Sequence, residues 1–229
     1  MDRIELIAPC HFGLEAVLKK EITELGYEIS QVEDGRVCFY GDISAICRGN
    51  IFLRTAERLL LKVGSFKAVT FDGLFEQTKA IPWERYIPED GKFWVAKASS
   101  IKSKLFSPSD IQSIMKKAMV ERLKTVYHTD WFKEDGAQFP LRVFIFKDQV
   151  TVGIDTSGDS LHKRGYRELS SKAPITETLA AALILLTPWR KDRILVDPFC
   201  GSGTLIIEAA LKAANIAPGL RRRFAAGPY

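Results

Sequence analysis

The sequence predicts an α+β fold followed by the beginning of an α/β fold, and two stretches of the chain lead to that prediction. Over residues 1–66, segments with strand alternation and segments with the periodicity of amphipathic helices follow in the order β-α-β-β-α-β. Farther along, an apolar segment, a turn with two glycines and a helical run occupy residues 193–214. That succession is typical of the first crossover in a parallel α/β sheet.

Length and composition restrict the class of protein. The chain has 229 residues, 46% of them hydrophobic, which suits one or two globular domains. It has no long apolar run and begins Met1-Asp-Arg-Ile-Glu, so neither a membrane span nor a signal peptide is expected. The four cysteines lack C-x-x-C spacing and the three histidines are scattered. We therefore expect no disulfide framework, no metal site and a cytoplasmic location.

The first 66 residues form the α+β part. The order of their elements is that of the ferredoxin-like split βαβ arrangement, and no catalytic constellation is apparent in it. Glu15, Glu21 and Glu24 have the spacing of solvated helix charges. The expected elements are strands at residues 3–8, 27–32, 36–40 and 58–66 and helices at residues 13–25 and 42–52, the second helix capped by Asp42.

Residues 67–158 continue with mixed elements. Ser107 is the expected N-cap of a long helix, with Pro108 in its first turn and Asp110 completing a capping box. The apolar face of this helix contains Ile111, Ile114, Met115, Ala118 and Leu123. The other elements are a helix capped by Thr70, a strand at residues 93–99, and strands at residues 141–146 and 149–155 turned at Lys147-Asp148.

Positive charge is concentrated in this middle segment. Between Lys92 and Lys124, eight basic residues stand against two acids, Asp110 and Glu121, although the whole chain has a net charge of +5. A local excess of this kind is typical of a protein that binds a polyanion. The alternative is an ordinary solvated helix face, and charge alone does not exclude it.

The glycine turn is the most informative stretch. An apolar strand is expected at residues 194–196 and a helix at residues 205–214, with Gly201 and Gly203 between them. Ile206 stands where the dinucleotide-binding pattern G-x-G-x-x-G/A requires a small residue, so NAD is the weaker interpretation. The helix N-terminus would offer free N–H groups to a ligand. A buried strand followed by a plain glycine turn is the alternative.

The turn Asp-Pro-Phe-Cys-Gly-Ser-Gly-Thr resembles motif I of class I S-adenosylmethionine-dependent methyltransferases, in the subset that methylates nitrogen on nucleic-acid bases. Residues 98–118 resemble the THUMP domain of bacterial 23S ribosomal-RNA guanine-N2 methyltransferases, which are often labelled N6-adenine DNA methylases. Residues 155–158, 161–167, 173–182 and 215–219 also match that family. The resemblance covers essentially the whole chain, and several of its motifs are long.

The resemblance implies three domains: a ferredoxin-like domain at residues 1–66, a THUMP RNA-binding domain at residues 67–158, and the N-terminal part of a Rossmann-like methyltransferase domain at residues 159–229. It implies S-adenosyl-L-methionine as cofactor and structured RNA, ribosomal RNA above all, as partner, with no membrane. The implied cofactor-binding residues are Asp197, Pro198, Phe199, Cys200, Gly201, Ser202, Gly203 and Thr204.

Basic residues are the expected RNA contacts. Such contacts supply affinity and salt dependence rather than base readout. Ser99, Ser100 and Ser103 could add hydroxyl donors. For Phe93 and Phe106 we favour the core over base stacking. The expected phosphate-binding residues are Lys102, Lys104, Lys116, Lys117, Lys163, Arg164 and Arg167, the last three in a polar segment, residues 158–172, that is either a basic linker anchored by Tyr166 or part of the cofactor and substrate cleft.

The family pattern is incomplete in this sequence. The acid after the second strand and the Asn-Pro-Pro-Tyr type motif do not occur, and Gly227-Pro-Tyr229 lies too close to the glycine turn to be that motif. We therefore assign no catalytic residue and expect the chain alone to be inactive. The expected function is methyl transfer from S-adenosylmethionine to the exocyclic N2 amine of guanine in RNA. The alternatives are an RNA-binding fragment without activity and a DNA adenine-N6 methylase.

Overall fold

A computed structural model of the chain describes residues 3–167 and 174–226. The residues group into two compact units, one formed by the chain up to Leu59 together with the part from Thr156, and one formed by Leu60–Asp155. Lys172, Ala173 and the tripeptide Gly227-Pro-Tyr229, all considered above, lie outside the described residues. None of the described helices is both long and apolar enough to cross a membrane.

An antiparallel sheet of three strands in the order β2-β3-β1 organises the first unit. Leu6, Ile7 and Ala8 in the central part of β1 are fully buried. Strand alternation and helix periodicity thus predict the elements here correctly. The elements of this part of the unit are β1 (Ile4–Pro9), α1 (Glu15–Glu24), β2 (Glu28–Glu33), β3 (Arg36–Gly41) and α2 (Ile43–Phe52).

Two of the three glutamates of α1 are structural, which corrects the expectation of solvated charges. Glu15 accepts hydrogen bonds from the Gly13 and Gly35 amides at 3.2 and 2.7 Å, and these bonds lower the pKa of its carboxyl. Glu21 accepts bonds from the Thr55 amide at 3.0 Å and the Thr55 hydroxyl at 2.5 Å. Periodicity along α1 could not reveal Gly35 and Thr55 as partners, because they lie 20 and 34 residues away in the sequence.

The second unit contains a four-stranded sheet in the order β4-β7-β6-β5, with β5 and β6 parallel and the other pairs antiparallel. Trp83, Phe93 and Met115 are among the buried residues of its core. The elements are β4 (Leu60–Lys67), α3 (Phe71–Ala80), a 3-10 turn (Trp83–Arg85), β5 (Lys92–Ile101), α4 (Pro108–Tyr127), β6 (Gln138–Phe146) and β7 (Gln149–Asp155).

Turn and cap chemistry follow the sequence with one exception. Lys147 and Asp148 have φ angles of 49° and 64°, as the tight hairpin turn predicted at this dipeptide requires. Pro108 begins α4 as expected, but Ser107 makes no side-chain capping bond. Its hydroxyl instead contacts the Ser109 hydroxyl at 3.2 Å, so the predicted capping box is wrong.

Strong helix formers at residues 176–187 and the helical run at residues 205–214 predict the two remaining helices. The structure places them, within one residue at each end, as α5 (Glu177–Leu186) and α6 (Thr204–Ala213). The strand predicted at residues 194–196 is absent: the segment is irregular, and Ile194 is 92% exposed. A strand forms only when a neighbour accepts and donates its backbone hydrogen bonds, and no described segment pairs with this one. Apolar character alone was therefore insufficient to make it a strand.

Candidate functional site

The glycine turn lies directly before α6. Gly203 is the N-cap of the helix with a φ of 73°, and Gly201 has a φ of 53°. A Cβ built on either glycine would meet nothing closer than 3.8 Å, so the space around them is open. The left-handed backbone, which a side chain would strain, is what requires glycine at both positions.

The turn is exposed and its helix N-terminus is uncapped. Among the described residues no side chain forms a capping bond to α6, so the amides of its first turn have no side-chain acceptor there. Asp197 folds back on the turn and accepts a hydrogen bond from the Phe199 amide at 3.1 Å. Phe199 itself is 93% exposed. An exposed turn with uncommitted backbone donors has the chemistry of a ligand-binding loop.

Arg167, which lies 37 residues before Thr204 in the sequence, forms a hydrogen bond to Thr204 at the end of the turn. Its guanidinium donates to the Thr204 hydroxyl at 2.8 Å and to the Ile175 carbonyl at 3.1 Å, and it pairs with Glu177 at 3.5 Å. The predicted phosphate contact is therefore not supported for Arg167, whose donors are committed within the protein. Arg167 instead connects the polar segment with the first residue of α6.

Arg164 is also committed inside the protein. It is 3% exposed, and it donates to the Leu161 carbonyl at 2.8 Å and the Arg54 carbonyl at 2.6 Å. It also pairs with the buried Glu208 at 3.5 Å. This geometry corrects the expectation of a phosphate contact, since a buried guanidinium with these partners cannot reach RNA.

Glu208 is a structural residue that the sequence analysis did not single out. Its carboxylate accepts a hydrogen bond from the Tyr166 hydroxyl at 2.9 Å, and burial raises the pKa of the carboxyl. Burial, followed by the charge of Glu208, likewise raises the pKa of Tyr166. The available signal was a single acid within a helical run that is apolar apart from Thr204 and Lys212. Tyr166 thus anchors the polar segment, as one interpretation of the sequence expected.

Two histidines that look scattered in the sequence meet at one carboxylate. His11 Nε2 and His162 Nδ1 each lie 3.3 Å from an oxygen of Glu57. The Thr178 hydroxyl donates to the same carboxylate. No group of three or more histidine, cysteine or acidic residues suited to a metal occurs among residues 3–167 and 174–226. The cluster is therefore a hydrogen-bonded contact.

The predicted lysine contacts differ in their surroundings. Lys116 binds Glu134 at 2.5 Å and donates to the Phe93 carbonyl, so the expectation of a phosphate contact is not supported for it. Lys163 pairs with Asp159 at 3.1 Å at the surface. Lys102, Lys104 and Lys117 are exposed and form no ion pair with any acid in the described part of the chain.

Of the two phenylalanines expected in the core, one is buried and the other is exposed. Phe93 is 1% exposed and belongs to the core, as expected. Phe106 is 81% exposed, so its assignment to the core is wrong. The serine hydroxyls donate to backbone carbonyls: Ser99 to Val143 at 3.4 Å, Ser103 to Ile101 at 2.9 Å, and Ser100 to Leu105.

Three family models match consecutive parts of the chain. Residues 5–60 match the RlmL ferredoxin-like domain, residues 68–155 match the THUMP domain, and residues 164–227 match the RMKL-like methyltransferase domain. The three matches follow the order of domains that the resemblance implies.

Individual relatives agree with these models. The chain is 54% identical over 226 residues, 98% of its length, to the protein of Bacillus subtilis (strain 168) named "Putative RNA methyltransferase YpsC", of which it covers 58%. A crystal structure from Listeria monocytogenes, titled as a predicted N6-adenine-specific DNA methylase, shares 53% identity at a TM-score of 0.95. The structure of SMU.472, titled as a methyltransferase complexed with SAH, shares 46% identity at a TM-score of 0.93. Both structures match 100% of this chain, which covers 60% of each of them.

Proposed function

Because this chain belongs to the methyltransferase family built from an RlmL-type ferredoxin-like domain, a THUMP domain and an RMKL-like methyltransferase domain, we propose that it serves the S-adenosylmethionine-dependent methylation of RNA. The proposed target is the exocyclic N2 amine of a guanine in ribosomal RNA. The observation that carries the proposal is the exposed glycine turn before α6. The chain spans about three fifths of the length of the relatives it matches, so the activity of the whole is part of the proposal.

The residues of the turn fit a cofactor of this kind. Residues 197–204 would hold S-adenosylmethionine, with backbone donors at the start of α6 available to its negatively charged carboxylate. When bound, the cofactor supplies an electrophilic methyl group on its sulfonium. Gly201 and Gly203 keep the backbone in the left-handed conformation that the turn requires. Arg167 holds Thr204, and thereby the first turn of α6, in place.

To methylate the exocyclic amine of guanine, an enzyme has above all to position the amine. Its lone pair is delocalised into the ring, so the enzyme must hold it in line with the methyl group. A base in folded RNA must also leave its stack to be reached. We assign no catalytic residue among the described side chains. We expect the 229-residue chain by itself to bind RNA without transferring a methyl group.

Binding of RNA is proposed for exposed lysines, three of them in the middle segment and the fourth, Lys163, in the polar segment. Lys102, Lys104 and Lys117 lack acidic partners in the described part of the chain, and Lys163 is exposed beside Asp159. Each phosphate neutralised by such a residue releases counterions, which makes the affinity depend on salt. Lys116, Arg164 and Arg167 are not among these proposed contacts, because their charges are paired within the protein.

Replacing Gly201 with valine tests the proposed cofactor site. We expect binding of tritiated S-adenosylmethionine to the chain to be lost in Gly201→Val, because valine strains a backbone with a φ of 53°. Gly26→Val is the matched control: Gly26 has a φ of 90° and open space around it, but it follows α1. No binding by the wild-type chain, or equal losses in the two variants, would overturn the proposed site.

A further inference from the structure

Two segments of the second unit form one continuous surface. The loop at residues 102–107 leads from β5 into α4, and the turn at Lys147-Asp148 joins β6 to β7. The Lys104 amide donates to Asp148 Oδ1 at 2.8 Å, and the Asp148 amide donates to the Ser103 hydroxyl at 3.0 Å. The Lys147 amide also donates to the Ile101 carbonyl at 3.2 Å. These bonds hold the loop and the turn side by side.

The loop is also ordered from within. Ser103 bonds back to the Ile101 carbonyl at 2.9 Å, and Ser100 bonds the Leu105 carbonyl. Leu105 is buried and attaches the loop to the core, whereas the next residue, Phe106, is 81% exposed. A loop held by this many bonds loses little conformational entropy when a ligand binds. It therefore presents Phe106 in a defined position.

Local structure does not explain the exposed ring of Phe106. Phe106 directly precedes the N-cap of α4, where an apolar residue often packs against the fourth residue of the helix. That residue, Ile111, is fully buried, and Phe106 remains in solvent. The ring thus contributes little to the core, and exposing it forgoes the free energy that burial of an aromatic side chain would supply.

The loop and the neighbouring turn both carry aromatic and basic side chains. Phe146 at the end of β6 is exposed, and the Lys147 ammonium lies 5.3 Å from its ring centroid. Lys102, Lys104 and Lys147 form no ion pair within residues 3–167 and 174–226. The nearby carboxylate of Asp148 accepts the Lys104 amide. We call the set Lys102, Lys104, Phe106, Phe146 and Lys147 the loop surface.

We propose that the loop surface binds an unpaired segment of RNA, with one base stacked on Phe106 and phosphates bound by the three lysines. Only unpaired nucleotides offer a free base face to an aromatic ring, whereas a duplex keeps its bases stacked on one another. The lysines favour a polyanion over an apolar protein partner. This inference rests on the proposed function as an RNA-binding chain and specifies which structural feature of the RNA is bound.

The test measures binding of the full chain to a fluorescein-labelled, unstructured 12-mer RNA and to a duplex of the same sequence. Phe106→Leu, which keeps apolar bulk and removes the aromatic face, should weaken binding of the single strand by about tenfold and leave duplex binding unchanged. Phe106→Tyr should retain the affinity. Trp131→Leu is the matched control, because Trp131 is in the same unit and is 82% exposed.

The lysines are tested by the salt dependence of the same affinity. Lys102→Asn with Lys104→Gln should reduce the slope of log affinity against log salt by roughly 1.4, about 0.7 for each lost phosphate contact on a single strand. Asparagine suits position 102 because Lys102 has a φ of 51°. Thermal unfolding of each variant verifies that the chain is folded.

The outcomes separate the two proposals. RNA binding that is equal in wild type and Phe106→Leu, or equally weakened by Trp131→Leu, overturns the loop surface and leaves the proposed function standing. Binding of an apolar peptide in place of RNA, lost in Phe106→Leu, would show a protein-docking surface and overturn the inference. No binding of either RNA by the wild-type chain at low salt overturns the RNA-binding part of the proposed function, and the loop surface with it.

Discussion

Lys163 and Arg164 are adjacent in the chain and have opposite surroundings. The ammonium of Lys163 is exposed beside Asp159, while the guanidinium of Arg164 is buried against Glu208 and two backbone carbonyls. An exposed ion pair contributes little to stability, whereas removing one partner of a buried pair leaves an uncompensated charge. Two basic residues of one sequence motif therefore have different roles: one faces solvent and the other supports the fold.

Substitution of Arg164 should therefore be costly. We expect Arg164→Met to lower the free energy of unfolding by about 3–5 kcal/mol, because Glu208 and two carbonyls lose their partner. Lys163→Met should lower it by less than about 1 kcal/mol. Urea denaturation measures both. Equal effects would contradict the buried role of Arg164.

The same variant should respond to pH in a defined direction. Burial raises the pKa of the Glu208 carboxyl, so the folded state binds a proton at this carboxyl more tightly than the unfolded chain does. Stability contributed by this group then falls as the pH rises from its ordinary range through the raised value. The loss in Arg164→Met should accordingly be smaller at acid pH, where Glu208 is neutral, than at alkaline pH.

At the scale of elements, the hairpin turn between β6 and β7 performs two tasks. Its two left-handed residues reverse the chain, and Asp148 also accepts the Lys104 amide from the loop before α4. The dipeptide and its flanking strands predict the turn. The second task depends on a partner 44 residues away, which no local pattern reveals.

Asp148→Gly should separate these tasks. Glycine tolerates the φ of 64° and removes the carboxylate, so the turn should remain while the loop loosens. We expect faster hydrogen exchange at the Lys104 amide and roughly threefold weaker binding of single-stranded RNA, since the loop must now be ordered on binding. Asp148→Asn, which keeps an oxygen acceptor, should restore both. Unchanged exchange in Asp148→Gly would contradict this role.

For the molecule as a whole, the net charge of +5 does not show which basic residues are paired within the protein and which are exposed. Basic side chains that form ion pairs within the protein, such as those of Arg164, Arg167 and Lys116, stabilise the fold. Lys102, Lys104 and Lys117, which are exposed and have no acidic partner in the described part of the chain, are the proposed contacts to an external anion. The proposed partner is therefore recognised through a small surface, and RNA with unpaired segments fits it better than a duplex.

Competition binding tests this preference on the complete chain. A ribosomal RNA fragment with unpaired loops should displace the labelled 12-mer at concentrations at least about tenfold lower than duplex DNA of the same nucleotide content. A methylation assay with a protein as long as the matched relatives then identifies the base that is modified. Equal competition by duplex DNA would favour the alternative of a DNA adenine-N6 methylase.

Local patterns by themselves determined the helices, most of the strands and the glycine turn of this protein. Periodicity, left-handed turn residues and prolines act over a few residues, so α5, α6 and the β6–β7 hairpin could be placed from them. The full set of matching motifs also identified the family. The domain boundaries at residues 66 and 158 stay a prediction.

Only the tertiary structure decided which side chains are available for function. Arg164 meets a carbonyl 110 positions away and Lys116 meets an acid 18 positions away, and such partners have no trace in local sequence. Phe106 is exposed although Leu105 beside it is buried, and residues 194–196 are irregular because no described strand pairs with them. A side chain's type states what it can bind. Its burial and its distant neighbours determine whether it is free to do so.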